Sequence, residues 1–215
     1  MDPTRSYSTA LRAEQSALTR ARIIDAARTS FTEQGYLGST LAGIARDAGV
    51  SVQTVYNVLG GKGLLLKTVY DITLAGDDEP IPMAQRPIVQ AVLLAPTGRE
   101  CLARYAEMGR VLAERVLALA SMLLAQAATG DPDLRAFADT IESERAVGAA
   151  ATARHVADRF GLRDGVDTQM AQDILWALTA PDLADRLVNR RRWGWDRFQF
   201  WLGTAMADAL LRPGG

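Results

Sequence analysis

Two short helical segments joined by a glycine-containing turn constrain the fold of this chain more than any other feature. They lie in the stretch "STLAGIARDAGVSVQTVYNVLGGKG", residues 39–63. The apolar residues of the first segment recur at helical spacing: Leu41, Ile44, Ala45 and Ala48. We expect Ser39 to cap that helix and Ser51 to cap the second, because serine is a preferred N-cap. Gly49 permits a left-handed turn between them. The pattern predicts a helix-turn-helix locked by Val50 and Val55.

The rest of the sequence is also typical of helices. Ala, Leu and Arg dominate, β-branched and aromatic runs are scarce, and the 48% apolar content allows a substantial core. Periodicity predicts a helix that ends at Gly35 and another that runs from Leu64 to about Ala75. Further helices are predicted at about 86–95, 98–129, 132–160, 167–180, 182–190 and 195–211. We therefore expect an all-α fold.

The segment "GDDEPIP", residues 76–82, interrupts the helical pattern with acids and two prolines. Taken as a domain boundary, it gives a flexible polar N-terminal arm at 1–18, a three-helix helix-turn-helix domain at 19–76 and a larger helical domain at 77–215. Residues 1–76 hold eight Lys and Arg against six Asp and Glu, whereas the remainder holds sixteen against nineteen. A mildly basic N-terminal segment followed by an acidic larger domain is compatible with a nucleic-acid partner.

Composition also bears on compartment and chemistry. Cys101 is the only cysteine, which excludes an internal disulfide and a cysteine-based zinc site and fits a reducing cytoplasm. We expect it to be a small buried side chain rather than a redox sensor. The polar N-terminus lacks the apolar core of a signal peptide, and the longest apolar run, 116–128, is too short to span a membrane. His155 is the only histidine and has no paired nucleophile, so we expect neither an enzyme nor a cofactor or metal.

The stretch "VLGGKGLLL", residues 58–66, raises the question of a phosphate site. A Walker loop would need a glycine at Tyr56 and a hydroxyl at Gly63, and this sequence has neither. A solvated turn between two helices is one alternative. The other is a contact to a DNA phosphate, because Lys62 stands at a helix N-terminus, where free N–H groups and the helix dipole favour an anion.

The stretch "AARTSFTEQGYLGSTLAGIARDAGVSVQTVYNVLGGKGLLL" resembles the tetracycline-repressor (TetR) family of transcriptional regulators, over roughly residues 20–70. The C-terminal "ILWALTAPDLADRLVNRRRWGWDRFQFWLGTAMADALL" is similar to the tail of many members. The resemblance implies two all-α domains, a homodimer, binding to double-stranded operator DNA and release by a small molecule. The sequence departs from the family at Leu59, Gly61 and Gly63, where an aromatic, a serine and an acid are common. The glycines at 61 and 63 replace a serine cap and a capping-box acid, which should weaken the start of the fourth helix by about 1 kcal/mol.

The predicted DNA contacts lie on and around the second helix of the motif. Gln53 and Asn57 carry amides that can pair with adenine, and Thr54 can touch a thymine methyl group. Thr40 and Ser51 stand at the two helix starts, where Thr40 can donate to a phosphate while also capping its helix. The resemblance implies phosphate contacts for Tyr56 and Lys62.

The larger domain is expected to hold a ligand and the dimer contact. The candidate ligand residues are apolar or aromatic: Tyr105, Met108, Leu112, Met122, Phe137, Ile141 and Trp176. Each could equally fill an ordinary core. The last helix is apolar on more than one face, which requires a second partner. The resemblance implies a four-helix dimer interface with Leu178, Leu183, Leu187, Phe198, Trp201 and Ala205.

The sequence therefore predicts a cytoplasmic, dimeric regulator of transcription, a repressor released from its operator by a small, largely apolar ligand. A second class of function stays open: a helical ligand-binding or scaffolding protein whose helix-turn-helix does not bind DNA. A helical enzyme is a third.

Overall fold

The computed structural model describes residues 3–127 and 130–213. Within these ranges the chain forms helices and turns without strands. The α-helices are α1 (Pro3–Gly38), α2 (Leu41–Asp47), α3 (Val52–Leu59), α4 (Lys62–Ala75), α5 (Pro87–Leu93), α6 (Gly98–Ala127), α7 (Pro132–Phe160), α8 (Thr168–Leu178), α9 (Pro181–Ala184) and α10 (Trp195–Leu210). A 3-10 turn (Met83–Gln85) precedes α5, and a π-helical segment (Asp185–Arg190) follows α9. The expected all-α class is confirmed.

The N-terminal helix is longer than the sequence pattern predicted. α1 begins at Pro3, so residues 3–18 continue the helix instead of forming the flexible arm expected there, whose first residues, Met1 and Asp2, lie outside the described residues. The physical reason lies in the run "ALRAEQSAL", residues 10–18, in which most residues are strong helix formers. At the other end, the backbone leaves helical geometry at Gly35, with φ 73° and ψ 170°. The predicted helix end at Gly35 is confirmed.

Two hydrophobic cores organise the molecule. The first is formed by α1–α4 together with the second half of α6 and the first half of α7, which contribute Val116, Leu119, Leu123, Leu134, Phe137 and Ile141. The sequence boundary at 76–82 therefore does not separate two cores, because side chains from both of its sides pack in one.

The second core lies in the larger domain alone. It is built from α5, the first half of α6, the second half of α7, α8 and α10, and it includes Cys101, Leu102, Ala153, Leu175, Phe198 and Met206. Cys101 is fully buried, as expected, and burial raises the pKa of its thiol to about 11. α10 approaches α6 closely at Gly203, where an added Cβ would lie 3.4 Å from the Ala103 Cα.

The segment between α4 and α5 is fixed by arginines. Arg86, which is only 9% exposed, donates to both carboxylate oxygens of Asp77 at 2.7 and 2.9 Å. Arg115 of α6 donates to the carbonyls of Leu74 and Ala75 at 3.1 and 2.8 Å. The two Arg115 bonds satisfy carbonyls at the end of α4, which otherwise have no partner within the helix.

Candidate nucleic-acid interface

One face of α3 packs in the first core, and the opposite face is exposed to solvent. Val55 and Leu59 are buried in the first core, whereas Gln53, Tyr56 and Asn57 are exposed. These spacings of three and four residues place the polar side chains on one side of the helix. The structure therefore brings together the side chains that the sequence predicted for base and phosphate contact on this helix.

The start of α3 is capped as predicted. The Ser51 hydroxyl accepts a bond from the Thr54 amide at 3.0 Å, and the two hydroxyls lie 2.8 Å apart. Ser51 thus fixes the first turn of the helix and also orients Thr54. Both side chains stay near the exposed face, so either hydroxyl can contact a neighbouring phosphate or base.

Gln53 and Asn57 are coupled one helical turn apart. The Gln53 amide donates to the Asn57 Oδ1 at 2.9 Å. Such a bond restricts both side chains, while the Gln53 oxygen and the Asn57 amide group remain available. Adenine offers one donor and one acceptor in the major groove, and these free groups have the complementary chemistry.

Of the two residues predicted to cap α2, the structure uses Thr40 and not Ser39. Ser39 is buried, and its hydroxyl donates to the Gly35 carbonyl at 2.7 Å and accepts from Ser30 at 2.8 Å. The prediction that Ser39 caps α2 is therefore wrong. Thr40 is the N-cap and accepts from the Gly43 amide at 3.0 Å. Because the Thr40 hydroxyl serves there as an acceptor, its hydrogen remains free to be donated to a phosphate.

Lys62 does not point freely toward solvent. It is half-buried, and its ammonium lies 4.1 Å from the centre of the Tyr36 ring, a cation–π contact. Burial lowers the pKa of Lys62, and the nearby carboxylates of Asp131 and Asp133 oppose that shift. The structure thus separates Lys62 from the other predicted DNA contacts and places it against aromatic and acidic groups.

Tyr36 and Asp133 belong to this site although the sequence analysis did not single them out. The buried Tyr36 hydroxyl donates to the Asp133 carboxylate at 2.9 Å. Burial raises the pKa of Tyr36, and the bond to Asp133 raises it further. The two residues are 97 positions apart, so no local pattern could have indicated the contact.

α4 begins without a side-chain cap. Its N-cap is Gly61, which has an extended backbone and no side-chain hydrogen bond, and Gly63 follows in the first turn. The weaker start of α4 expected from Gly61 and Gly63 stays a prediction.

The candidate ligand residues do not form one cluster. Phe137, Ile141 and Met122 pack in or against the first core, whereas Tyr105 and Met108 belong to the second. Leu112 is half-buried, and Trp176 is 39% exposed, with the Arg145 guanidinium 5.5 Å from its ring centre. The expectation that all seven surround a single cavity is not met, because α6 and α7 each span both cores.

The candidate dimer residues fall into two groups. Leu178, Leu183, Leu187, Trp201 and Ala205 are half-buried on α8, α10 and the segment between them. Phe198 is only 2% exposed and packs inside its own protomer, so its placement at an interface between protomers was wrong. The aromatic side chain that α10 directs outward is Phe200, which is 78% exposed.

The described part of the chain also bears on a membrane-spanning helix and on a metal site. No helix there is both long and apolar enough to cross a membrane. No group of three or more His, Cys, Asp and Glu side chains in the same ranges could hold a metal ion.

One segment of the chain matches a known family, and the fold as a whole is similar to solved structures. Residues 23–68 match the family described as bacterial regulatory proteins, tetR family, and no curated protein matches the sequence. The solved SmeT–triclosan complex is similar with a TM-score of 0.69 and 21% identity, over 91% of this chain and 93% of that one. FadR from Bacillus subtilis in complex with stearoyl-CoA has a TM-score of 0.66 and 18% identity, over 86% and 96%. At such identities the similarity shows a shared fold.

Proposed function

We propose that this chain, whose residues 23–68 match the tetR family of bacterial regulatory proteins, is a homodimeric repressor that binds operator DNA and is released by a small, largely apolar ligand. The observation that carries this proposal is the exposed polar face of α3, mounted on buried Val55 and Leu59. A helix presented in this way fits the major groove, and the same face offers groups for bases and for phosphates. Such a protein acts in the cytoplasm, where the DNA is.

In this proposal Gln53 and Asn57 read base edges. Thr40, Ser51, Thr54 and Tyr56 fix the register of the helix on the DNA through phosphates and sugars. Tyr56 suits this role because its ring is 52% exposed beside Asn57. The Arg20 guanidinium instead donates to the Asp78 carboxylate at 2.9 and 3.2 Å.

We place the ligand in the second core, around Tyr105 and Met108. Tyr105 is 4% exposed, and the hydroxyls of Thr152 and Thr179 lie close enough to hydrogen-bond with it. A few polar groups in apolar surroundings are typical of small-molecule sites. The apolar character of the ligand is supported by the two similar structures, one of which holds triclosan and the other stearoyl-CoA.

The dimer would form through the outward faces of α8 and α10. Phe200 stands beside an open groove between α6 and α10, whose floor includes Ala103 and Gly203. A side chain as large and as exposed as Phe200 is stabilised when a partner covers it. Trp201, Leu178, Leu183, Leu187 and Ala205 would border that contact.

Binding to the DNA upstream of the chain's own gene tests the proposal. The full-length protein should shift such a duplex at concentrations that leave a scrambled duplex free. Largely apolar compounds that raise its melting temperature should weaken that complex, because ligand and operator favour different arrangements of the two head domains. Equal affinity for both duplexes would contradict sequence-specific regulation. Stabilising ligands without an effect on DNA affinity would contradict release by a ligand.

A further inference from the structure

The start of α7 touches the start of α4, on the side of the helix-turn-helix. The Asp133 carboxylate carbon lies 3.7 Å from the position that a Cβ on Gly63 would occupy. An acid of α7 thus stands over the first turn of α4, the helix whose own first turn has no acidic residue and whose N-cap has no side chain. A negative charge there is favourable, because the N-terminal end of a helix carries a partial positive charge.

The same carboxylate is joined to Lys62 through Tyr36. Tyr36 donates its hydroxyl to Asp133 at 2.9 Å and offers its ring face to the Lys62 ammonium at 4.1 Å. Asp131, the N-cap of α7, adds a second negative charge close to Lys62. Lys62 is therefore attracted toward the ring and the two carboxylates, and those attractions compete with any phosphate.

The end of α6 and the start of α7 both hold this contact in place. Near the end of α6, the Gln126 side chain accepts a bond from the Leu37 amide at 3.1 Å, and a Cβ at Gly35 would overlap its amide group. Asp131 caps α7 by accepting from the Leu134 amide at 3.1 Å, which fixes the turn of helix that carries Asp133. The end of α6 is thereby attached to the end of α1, while the start of α7 contacts the start of α4.

α7 connects this contact to the second core. The helix is 29 residues long, with Leu134 and Phe137 in the first core and Ala153 and Val156 in the second. A change in packing around Ala153 and Val156 therefore acts on the same rigid element that carries Asp133.

We propose that Asp133 is a positioning residue for DNA binding, which through Tyr36 holds Lys62 against the protein and so limits the charge that Lys62 contributes to a DNA phosphate. This inference rests on the proposed function. The position of the α7 start then sets the affinity for DNA of any sequence, since a phosphate contact carries no sequence information.

The test is the affinity of the full chain for a random-sequence DNA duplex, measured at several salt concentrations. Asp133→Asn removes the charge and keeps the size of the side chain. Asp139→Asn is the matched control, since it removes one charge from an exposed position of the same helix. We expect Asp133→Asn to bind roughly two- to fivefold more tightly than wild type, the range typical of one exposed charge interaction. The salt dependence should become steeper by up to about one unit per subunit.

Lys62→Gln decides whether the gain passes through Lys62. In that background, Asp133→Asn should tighten binding no more than Asp139→Asn does. The inference is overturned if Asp133→Asn and Asp139→Asn have equal effects in the wild-type background, or if the gain survives Lys62→Gln. Should Asp133→Asn fail to fold, Tyr36→Phe breaks the hydrogen bond from Tyr36 to Asp133 while keeping the ring. Its gain in affinity over wild type should likewise vanish in the Lys62→Gln background, and the absence of any gain overturns the inference.

Failure of the proposed function would look different. A wild-type protein that binds neither the random duplex nor the upstream duplex overturns DNA regulation. Whether Asp133 holds Lys62 against the protein is then measured without DNA, by a double-mutant cycle of Lys62→Gln and Asp133→Asn in urea unfolding. A coupling of about two- to fivefold in the unfolding equilibrium supports the restraint. A coupling factor near one overturns it.

Discussion

Gln53 and Asn57 face solvent one helical turn apart, and the bond between their amides gives each a defined orientation before any DNA is bound. Removing the Gln53 amide should therefore do two things. It deletes a group that can pair with a base edge, and it releases Asn57. Phosphate contacts made by the rest of the interface should be unaffected.

We expect Gln53→Ala to cost about 1–3 kcal/mol of binding free energy on the operator and to narrow the difference between operator and scrambled duplex. Fluorescence anisotropy with both duplexes measures the two affinities. Gln34→Ala is the control, because Gln34 is an exposed glutamine on α1 instead of α3. An equal loss on both duplexes would show that Gln53 does not read sequence.

At the scale of elements, the start of α4 combines two adjacent glycines with opposite constraints. Gly61 has φ −76° and ψ 173°, a backbone that any residue adopts, and the space that a Cβ would occupy there is open. Gly60 has φ 75° and ψ −152°, and a Cβ there would lie 2.9 Å from the Leu64 side chain. The same substitution should thus act differently at neighbouring positions.

Gly61→Ser should stabilise the protein by about 0.5–1 kcal/mol, because it restores a cap and restricts the unfolded chain. Gly60→Ser should destabilise it by roughly 1–3 kcal/mol, since its backbone conformation is essentially restricted to glycine. Urea unfolding of the two variants measures both free energies of unfolding. A loss of stability in Gly61→Ser would mean that α4 does not begin where the N-cap geometry places it.

The linker before α5 predicts a response to acid. Hydrogen bonds from Arg86 lower the pKa of Asp77 from 3.8 to about 2. Because the folded state depresses this pKa, the stabilisation is complete above the unfolded value near 4 and disappears as the pH falls toward 2. Urea unfolding of wild type and Asp77→Asn should differ at pH 6 and converge as the pH falls below about 4. Asp158→Asn, an exposed change on α7, should show no such convergence.

The sequence predicts elements better than it predicts contacts between them. The limits of α6, α7, α8 and α10 agree with the predicted ones to within two residues, since Gly98, Pro132, Gly161 and Gly194 are local stops and starts. The helix over residues 3–18 was missed, because the polar residues of the N-terminus were interpreted as a flexible arm.

The exposed polar side of α3 could also be predicted, because Val55 and Leu59 give the helix a local periodicity. The surroundings of Lys62 could not. Tyr36 and Asp133 reach it from α1 and α7, and their contact depends on how these helices pack rather than on spacing along the chain. Phe198 and Phe200 illustrate the same limit, since both are apolar residues of one helix and only packing shows which one faces outward.

At the scale of the whole molecule, Phe200 gives the proposed dimer its clearest test. Phe200→Asp would place an unpaired charge in a buried contact, which should weaken the dimer by about tenfold or more. Sedimentation at micromolar concentration measures the monomer fraction. Leu94→Asp is the control, because Leu94 is 73% exposed at the end of α5 and lies outside the faces of α8 and α10. A wild-type monomer, or equal behaviour of the two variants, would contradict this interface.

The first core, which α1–α4 share with α6 and α7, has a consequence for anyone who builds hybrid biosensors from this protein. A head cut out at residue 76 would leave behind Val116, Leu123, Leu134 and Phe137, and with them the apolar surface that completes its interior. Exchange of recognition specificity is therefore better done by grafting the exposed residues of α3 than by swapping the head. A hybrid joined at residues 76–82 would also have to include the second half of α6 and the first half of α7, because both pack against α1–α4. The part of the chain that shares one core is therefore larger than the part proposed to recognise DNA.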